Sequence, residues 1–173
     1  GLFGLAVGSF LNVLIDRLPK DEDVIKGRSK CDYCGKTLRW FELIPLLSFL
    51  MQRGRCLRCH KKLSVQYPLI ELVSGVLFVI LYSLFNYSLI KLFAYSMVFS
   101  SLLVIFIAYI KYQIIPDSMI ILGVIGAIGV IGGVREIGLI QGNIVAALSA
   151  SVFFLFLFLI TKGRGIGFGD VKF

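Results

Sequence analysis

Residues 88–110 read SLIKLFAYSMVFSSLLVIFIAYI, a run of 23 residues with one charged side chain, Lys91. A helix of this length rises about 35 Å along its axis, enough to cross a hydrocarbon core of about 30 Å. Lipid offers backbone groups no hydrogen-bond partner, so such a segment must form its hydrogen bonds internally. The stretch therefore predicts a membrane-spanning helix, and it sets the class of the whole chain.

Four further apolar blocks lie on either side of this stretch, at 1–15, 69–85, 118–134 and 143–160. The 173-residue chain is 58% hydrophobic and 16% charged, with a mean hydropathy of +0.91, which excludes a disordered chain and argues against a soluble enzyme. We predict an all-α membrane protein, a polytopic helical bundle with five spans. The chain begins inside an apolar run without Met, so we expect a fragment of a longer protein.

Basic residues are unevenly distributed between the predicted loops. Segment 16–68 holds 12 of the 18 Lys and Arg residues, and with alternating spans 16 of the 18 fall on its side of the membrane. Basic loops stay in the cytoplasm, which predicts a cytoplasmic location for this segment. The topology accounts for the net charge of +8, so we expect no nucleic-acid partner.

These boundaries divide the chain into three parts. Residues 1–15 form a truncated first transmembrane helix, residues 16–68 form a large cytoplasmic loop, and residues 69–173 form a transmembrane core that is truncated at its C-terminus. In the fourth predicted span, glycines recur at three-residue steps, which indicates close packing against another helix. They are Gly123, Gly126, Gly129 and Gly132.

All four cysteines lie in the large loop, as the C-x-x-C pairs Cys31/Cys34 and Cys56/Cys59. Because the cytoplasm is reducing, disulfides are disfavoured, and two such pairs are typical of a tetrahedral zinc site. We predict a structural zinc ion held by four thiolates, which helps a small loop to fold. A redox-active thiol pair is the alternative. His60 follows Cys59 directly, and we expect it to lie on the surface.

Acidic residues at the edges of membrane spans are costly and therefore informative. Asp16 ends the first block, beside Arg17 as the expected partner, and Glu71 lies near the start of the second. Asp170 follows a glycine-rich turn, where it suits either acid/base chemistry or the N-cap of a further helix. Two carboxylates that share a proton can activate water for peptide hydrolysis, and Asp117 is a candidate partner by topology or an N-cap of its own.

Four motifs occur in one order along the chain: GSFLNV at 8–13 with RLP at 17–19, the paired C-x-x-C loop, YPLIE at 67–71, and GFGDVK at 167–172. In this combination the chain resembles the type IV prepilin peptidases, membrane aspartic proteases with a Gly-x-Gly-Asp motif. The resemblance implies a fold of about eight transmembrane helices in the full protein, by analogy with the family.

The resemblance also implies an activity. It implies that a protein embedded in the lipid bilayer of the bacterial inner membrane cleaves the short basic leader of type IV prepilins or pseudopilins at the cytoplasmic face. N-methylation of the new N-terminus, commonly Phe, then uses S-adenosylmethionine, and the basic loop is the part expected to face this cofactor. Asp170 matches the second of the family's two catalytic aspartates. The acidic run 21–23 could receive the basic leader, or it is a solvated surface.

The first catalytic aspartate is where this chain departs from the family. The resemblance implies an Asp eight residues before Asp117, and Tyr109 stands there. A phenol has a pKa of about 10 and cannot share a proton with Asp170 as a carboxylate would. The substitution is an engineered or sequencing change, a natural inactivation, or a sign that Asp117 takes over the role. The alternative function is a catalytically inactive prepilin-binding or assembly protein.

Overall fold

The computed structural model describes residues 1–31, 33–85 and 88–132. Among these residues there are four long helices and one short one, and no β-strand. The helices are α1 (Leu2–Arg17), α2 (Leu47–Met51), α3 (Gln66–Phe85), α4 (Leu89–Tyr112) and α5 (Asp117–Gly132), with 3-10 turns at Leu18–Lys20 and Trp40–Leu43. The predicted all-α class is confirmed.

Three stretches are long and apolar enough to cross a membrane, Leu2–Lys20, Gln66–Phe85 and Leu89–Tyr112, and Asp117–Ile131 is a shorter apolar helix. Only 28–33% of each candidate span is buried inside the protein. Large side chains such as Phe10, Phe93 and Phe106 point outward. These outward apolar faces suit a lipid bilayer, as predicted for a membrane protein.

The observed helix ends differ from the predicted spans by a few residues. Helix α3 begins at Gln66 and not at 69, because Pro68 falls in its first turn, where a missing N–H costs nothing. Helix α5 begins at Asp117, one residue before the predicted span. The predicted span at 143–160 lies outside the described residues.

Glycines let α1 approach α3 closely. Gly4 and Gly8 lie one turn apart on the same face of α1, in a Gly-x-x-x-Gly pattern. A Cβ atom added at Gly8 would lie 2.7 Å from the Cα atom of Glu71, and one added at Gly4 would lie 2.8 Å from the carbonyl oxygen of Ser74. The two backbones therefore touch, which a larger residue at either glycine would prevent.

Helices α4 and α5 also pack closely at glycines. A Cβ atom at Gly126 would lie 3.0 Å from the carbonyl oxygen of Ala94, and one at Gly123 would lie 2.7 Å from Oγ of Ser101. A Cβ atom at Gly129 would lie 3.1 Å from Cβ of Ala94. The predicted packing role is confirmed for these three glycines.

The buried core lies where the loop-side ends of α1, α3, α4 and α5 meet. Ile15, Ile70 and Val104 are its most completely buried members. Residues 21–65, which we term the cysteine loop, cover this end of the bundle, because the loop contacts both α1 and α3. Every polar cluster described below lies at this junction of loop and helices.

Candidate functional site

The four cysteines converge on one point in the cysteine loop. Their sulfur atoms all lie within 4.8 Å of one another, and Sγ of Cys31 lies 3.9 Å from Sγ of Cys59. All four are free thiols. Zinc–sulfur bonds of about 2.3 Å in a tetrahedron separate sulfurs by about 3.8 Å, so the arrangement fits a four-thiolate metal site. A single redox pair would need only two of these sulfurs.

Each C-x-x-C pair forms the same backbone turn. The N–H of Cys31 donates to the carbonyl of Lys36 at 3.0 Å, and the N–H of Cys56 donates to that of Lys61 at 3.0 Å. An isolated β-bridge closes each turn, one between Lys30 and Thr37 and the other between Arg55 and Lys62. The sequence carries this symmetry as CDYCGKTL at 31–38 and CLRCHKKL at 56–63, a repeat that the spacing of the cysteines alone did not reveal.

His60 takes the place of Gly35 in the second turn. Gly35 has a φ of 65° and His60 a φ of 56°, so both adopt the left-handed conformation that glycine favours. The N–H of each donates to the carbonyl of the first cysteine of its pair. His60 is exposed and, among the described residues, lies outside the group that can hold a metal, as predicted.

The thiols differ in acidity because their surroundings differ. Burial raises the pKa of the Cys31 thiol to about 11. Hydrogen bonds from the backbone N–H groups of Cys59 and Arg58 lower the pKa of the Cys56 thiol to about 7. A bound divalent cation would favour the thiolate form at all four positions.

Asp16 ties three helices together at the loop end of the bundle. Its carboxylate accepts hydrogen bonds from Nζ of Lys111 at 2.6 Å and from the hydroxyl of Tyr112 at 3.3 Å, both on α4. The hydroxyl of Tyr67 on α3 donates to it at 3.0 Å. This network neutralises the carboxylate and joins α1 to both neighbouring helices.

The expected pairing of Asp16 with Arg17 is wrong. The guanidinium of Arg17 instead donates to backbone carbonyls of the cysteine loop, at 2.9 Å to Asp23 and at 3.1 Å to Gly27, with longer contacts to Val24 and Arg28. Adjacent side chains on a helix point in different directions, and Arg17 points toward the loop. It holds the start of the cysteine loop against the end of α1.

Asp23 organises the turn that Arg17 holds. Its carboxylate accepts the N–H groups of Ile25 at 2.9 Å and Lys26 at 3.0 Å. These hydrogen bonds lower the pKa of Asp23 below its ordinary value. The acidic run 21–23 is exposed, and one of its members thus has a structural role.

A cavity of about 520 Å³ lies between the cysteine loop and the ends of α1 and α3. We term it the loop cavity. Ser9 and Asn12 of α1 and Tyr67 and Glu71 of α3 form its helix side, and Cys31 and Cys56 belong to its loop side. The cysteine cluster thus forms part of the cavity wall.

Two buried polar groups stand out on the helix side of the loop cavity. Glu71 is 8% exposed, and its carboxylate accepts the N–H of Leu46 at 2.8 Å and the hydroxyl of Ser9. Asn12 is 4% exposed, and its Nδ2 donates to the carbonyls of Gly8 at 3.3 Å and Tyr67 at 3.1 Å. Within the described part of the chain, Oδ1 of Asn12 has no hydrogen-bond partner. Sequence analysis did not single out Asn12, because an Asn in an apolar helix has no distinctive spacing.

The structure describes two of the three predicted catalytic positions, Tyr109 and Asp117. Tyr109 lies near the loop end of α4 with its side chain 47% exposed. Asp117 is exposed at the first position of α5, where a carboxylate interacts favourably with the helix N-terminus. Asp170 lies outside the described residues, so its pairing with either position stays a prediction.

Comparison with known proteins gives consistent results. The family model of the Bacterial Peptidase A24 N-terminal domain matches residues 2–85. A prepilin leader peptidase/N-methyltransferase of Bacillus subtilis (strain 168) is 36% identical over 174 residues, which cover 99% of this chain and 68% of that protein. Its counterpart of the same name from Legionella pneumophila is 31% identical over 200 residues, covering 99% and 69%.

A third relative matches a shorter region more strongly. The prepilin leader peptidase/N-methyltransferase of Myxococcus xanthus (strain DK1622) is 53% identical over 77 residues, which cover 44% of this chain and 23% of that protein. Relatives that align along the whole chain extend beyond it, since the chain spans 64–70% of their length. No solved structure matches the chain.

Proposed function

The chain belongs to the prepilin leader peptidase/N-methyltransferase family, and we propose that it derives from a membrane-embedded aspartic endopeptidase for type IV prepilins or pseudopilins. Cleavage of the leader peptide takes place at the cytoplasmic face of the bacterial inner membrane. The observation that carries the proposal is the 36% identity to a relative of this name over 99% of the chain. The basic cysteine loop faces the cytoplasm in this proposal, following the distribution of Lys and Arg.

The proposed mechanism uses a water molecule activated between two acidic groups. Asp170 accepts the proton of the attacking water, and a second carboxylic acid donates to the scissile carbonyl. Position 109 is where this second group is required. The network around Asp16 gives no substitute, because that carboxylate is already engaged by Lys111 and two tyrosine hydroxyls.

Zinc is the proposed ligand of the four cysteines. Four sulfur donors with spacings near those of a tetrahedral site fit Zn²⁺, and a site with four protein ligands has no open position for a substrate. The ion therefore supplies folding energy to the cysteine loop and takes no part in hydrolysis.

N-methylation of the new N-terminus is the second proposed activity, with S-adenosylmethionine as the methyl donor. The relatives' name, prepilin leader peptidase/N-methyltransferase, supports it. The donor supplies an electrophilic methyl group when bound, and the chain's own residues bind and orient the acceptor amine. The cysteine loop is the proposed location, because it is the large polar part of the chain.

Tyr109 favours a second candidate function, that of an inactive prepilin-binding or assembly protein. A phenol cannot share a proton with a carboxylate at neutral pH. No Asp or Glu lies between Glu71 and Asp117, so a shift of alignment does not supply the missing acid. This candidate keeps the membrane bundle and the metal site and lacks the peptidase reaction.

Cleavage of a purified prepilin by the full-length protein in detergent tests the two candidates. Four forms are compared: Tyr109 as it stands, Tyr109→Asp, Asp170→Ala, and Tyr109→Asp combined with Asp170→Ala. If only Tyr109→Asp cuts, the family mechanism holds and the chain is an inactivated peptidase. If the Tyr109 form also cuts and Asp170→Ala abolishes cleavage, Asp170 has another partner, and Asp117→Asn is the next variant. If no form cuts a prepilin that an active relative processes, the binding-protein function is supported.

A further inference from the structure

We propose that the loop cavity is a binding site for an α-ammonium group, with the carboxylate of Glu71 and Oδ1 of Asn12 as its acceptors. The proposal deepens the proposed N-methyltransferase function, on which it rests for the identity of the ligand. Two molecules in that reaction carry an α-ammonium group or its conjugate amine: the methionine part of S-adenosylmethionine, and the N-terminus of the processed chain.

The size and position of the loop cavity suit a ligand of this kind. Its volume of about 520 Å³ falls within the range of about 300–1,000 Å³ that is usual for small-molecule and cofactor sites. It opens between a polar loop and the ends of two membrane helices, so a water-soluble cofactor and a membrane-bound chain end could both reach it. Neither Tyr109 nor Asp117 lines it.

Glu71 is a buried carboxylate whose described partners are neutral. It accepts one backbone N–H and one hydroxyl, and within the described ranges no Lys or Arg forms an ion pair with it. Burying a charged carboxylate without a cation is unfavourable, and a positive group beside it stabilises the charged form over the protonated acid. A ligand ammonium would supply that charge and leave the hydrogen bond to Leu46 intact.

Asn12 provides a second acceptor whose orientation is fixed. Both of its close neighbours, the carbonyls of Gly8 and Tyr67, are acceptors, so the amide nitrogen must face them and the oxygen must face away. Oδ1 is buried and without a partner among the described residues. Asn12 lines the loop cavity, one turn of α1 from Ser9, the hydroxyl that reaches Glu71.

The chemistry of this side of the cavity favours an ammonium over an anion or a metal ion. An ammonium has a compact set of donors and needs two or three acceptors, whereas Ca²⁺ takes about six to eight oxygen ligands. An anion would meet two acceptors. The cations of the cavity lining are Arg17, whose guanidinium already donates to four backbone carbonyls, and four exposed residues, Lys20, Lys26, Arg28 and Lys30.

The loop side of the cavity distinguishes the two sources of the amine. Arg28 and Lys30 line it and are exposed. A zwitterion such as the methionine part of S-adenosylmethionine offers a carboxylate to these cations and an ammonium to Glu71. The N-terminus of a polypeptide has no such carboxylate, so the arrangement fits the methyl donor better.

Binding measured by calorimetry on the full-length, zinc-loaded protein in detergent tests the proposal. The probes are S-adenosylmethionine, S-adenosylhomocysteine, adenosine, and a short peptide with a free N-terminal Phe beside its N-acetylated form. The variant is Glu71→Gln, which keeps the shape and removes the charge. The matched control is Ser74→Ala, a buried position on the same helix that lines a different, smaller cavity.

We expect Glu71→Gln to weaken the binding of S-adenosylmethionine and S-adenosylhomocysteine by about tenfold or more, and to leave the binding of adenosine unchanged. The Ser74→Ala variant should bind every probe as the wild-type protein does. If Glu71→Gln weakens only the binding of the free-amine peptide, the ammonium site is supported and its ligand is the N-terminus of the processed chain. The proposal is overturned if none of these probes binds, or if Glu71→Gln changes neither the S-adenosyl compounds nor the peptide.

A second variant protects the test against misfolding of Glu71→Gln. Arg28→Glu alters an exposed side chain and leaves the backbone carbonyl that Arg17 contacts. We expect it to weaken the binding of S-adenosylmethionine and to leave the binding of the peptide unchanged. If Glu71→Gln does not fold, two other results decide the proposal. An Arg28→Glu variant that binds S-adenosylmethionine as tightly as the wild-type protein overturns the assignment of the site to the methyl donor. A wild-type protein that binds the free and the acetylated peptide equally overturns the assignment to the peptide. These binding measurements do not depend on cleavage, so they test the ammonium site even if the protein has no peptidase activity.

Discussion

Asp16 and Lys111 are 95 positions apart in the chain, and Nζ of Lys111 donates to the carboxylate of Asp16 at 2.6 Å. The pair joins the last turn of α1 to the last turn of α4. It lies at the loop end of the bundle, and Lys111 is two residues from Tyr109, the position where the proposed mechanism requires a second carboxylate.

Breaking the Asp16–Lys111 pair should destabilise the bundle modestly. The Lys111 side chain is 38% exposed, so solvent screens the pair, and we expect a coupling of about 1 kcal/mol in a double-mutant cycle. The cycle uses Asp16→Asn, Lys111→Met and both together, with unfolding in detergent as the measurement. Strictly additive effects of the two substitutions would show that the contact contributes nothing.

Removing the metal should unfold the cysteine loop and leave the membrane helices formed. The loop contains one short α-helix and two isolated β-bridges, so it has little regular structure to hold it without an ion. After chelation, or in Cys56→Ser, we expect rapid proteolysis within 21–65, loss of about one zinc per chain and nearly unchanged helical circular dichroism. Ser48→Ala in the same loop is the control. A loop that stays resistant after complete metal loss would refute the structural role.

His60→Gly should stabilise the metal-loaded loop. His60 has a φ of 56°, a conformation that costs a non-glycine residue about 1 kcal/mol, and the equivalent position in the other turn is Gly35. We expect a higher unfolding temperature and unchanged zinc content. Reduced zinc affinity in this variant would instead make His60 a ligand.

Gly126→Leu should separate α5 from α4. A Cβ atom at Gly126 already lies 3.0 Å from the carbonyl oxygen of Ala94, and a larger side chain cannot be accommodated without movement of the helices. We expect a loss of about 2 kcal/mol or more in stability, measured by unfolding in detergent. Ile125→Leu, on an exposed face of the same helix, should have almost no effect. Equal effects of the two substitutions would contradict the close contact.

The turn held by Asp23 should loosen in acid. Hydrogen bonds lower the pKa of its carboxylate, so the turn is stabilised above the ordinary pKa of Asp and loses that stability as the pH falls through the lowered value. Hydrogen exchange of the Ile25 and Lys26 amides, corrected for intrinsic rates, should show protection that is lost in this acidic range. Asp23→Ala should lack the protection at neutral pH. Protection that persists in Asp23→Ala would assign the turn to Arg17 alone.

Sequence alone determined the membrane class, the approximate spans and the cysteine cluster. These features are local: hydropathy is a property of consecutive residues, and each C-x-x-C pair lies within a single turn. The glycine spacing in α5 likewise predicted its packing face, because one helix carries the whole pattern. Helix ends were less certain, as the start of α3 at Gln66 shows, since a Pro is tolerated in a first turn.

Only the tertiary structure decided which polar groups meet. Asp16 stands beside Arg17 in the sequence but binds Lys111, and Asn12 contacts the carbonyl of Tyr67 across 55 positions. Such pairings depend on how far one helix is rotated and shifted against another, which the close approach of α1 to α3 at Gly4 and Gly8 fixes. The loop cavity exists for the same reason: its walls come from segments that are distant in the chain, and no local pattern of residues encodes the space between them.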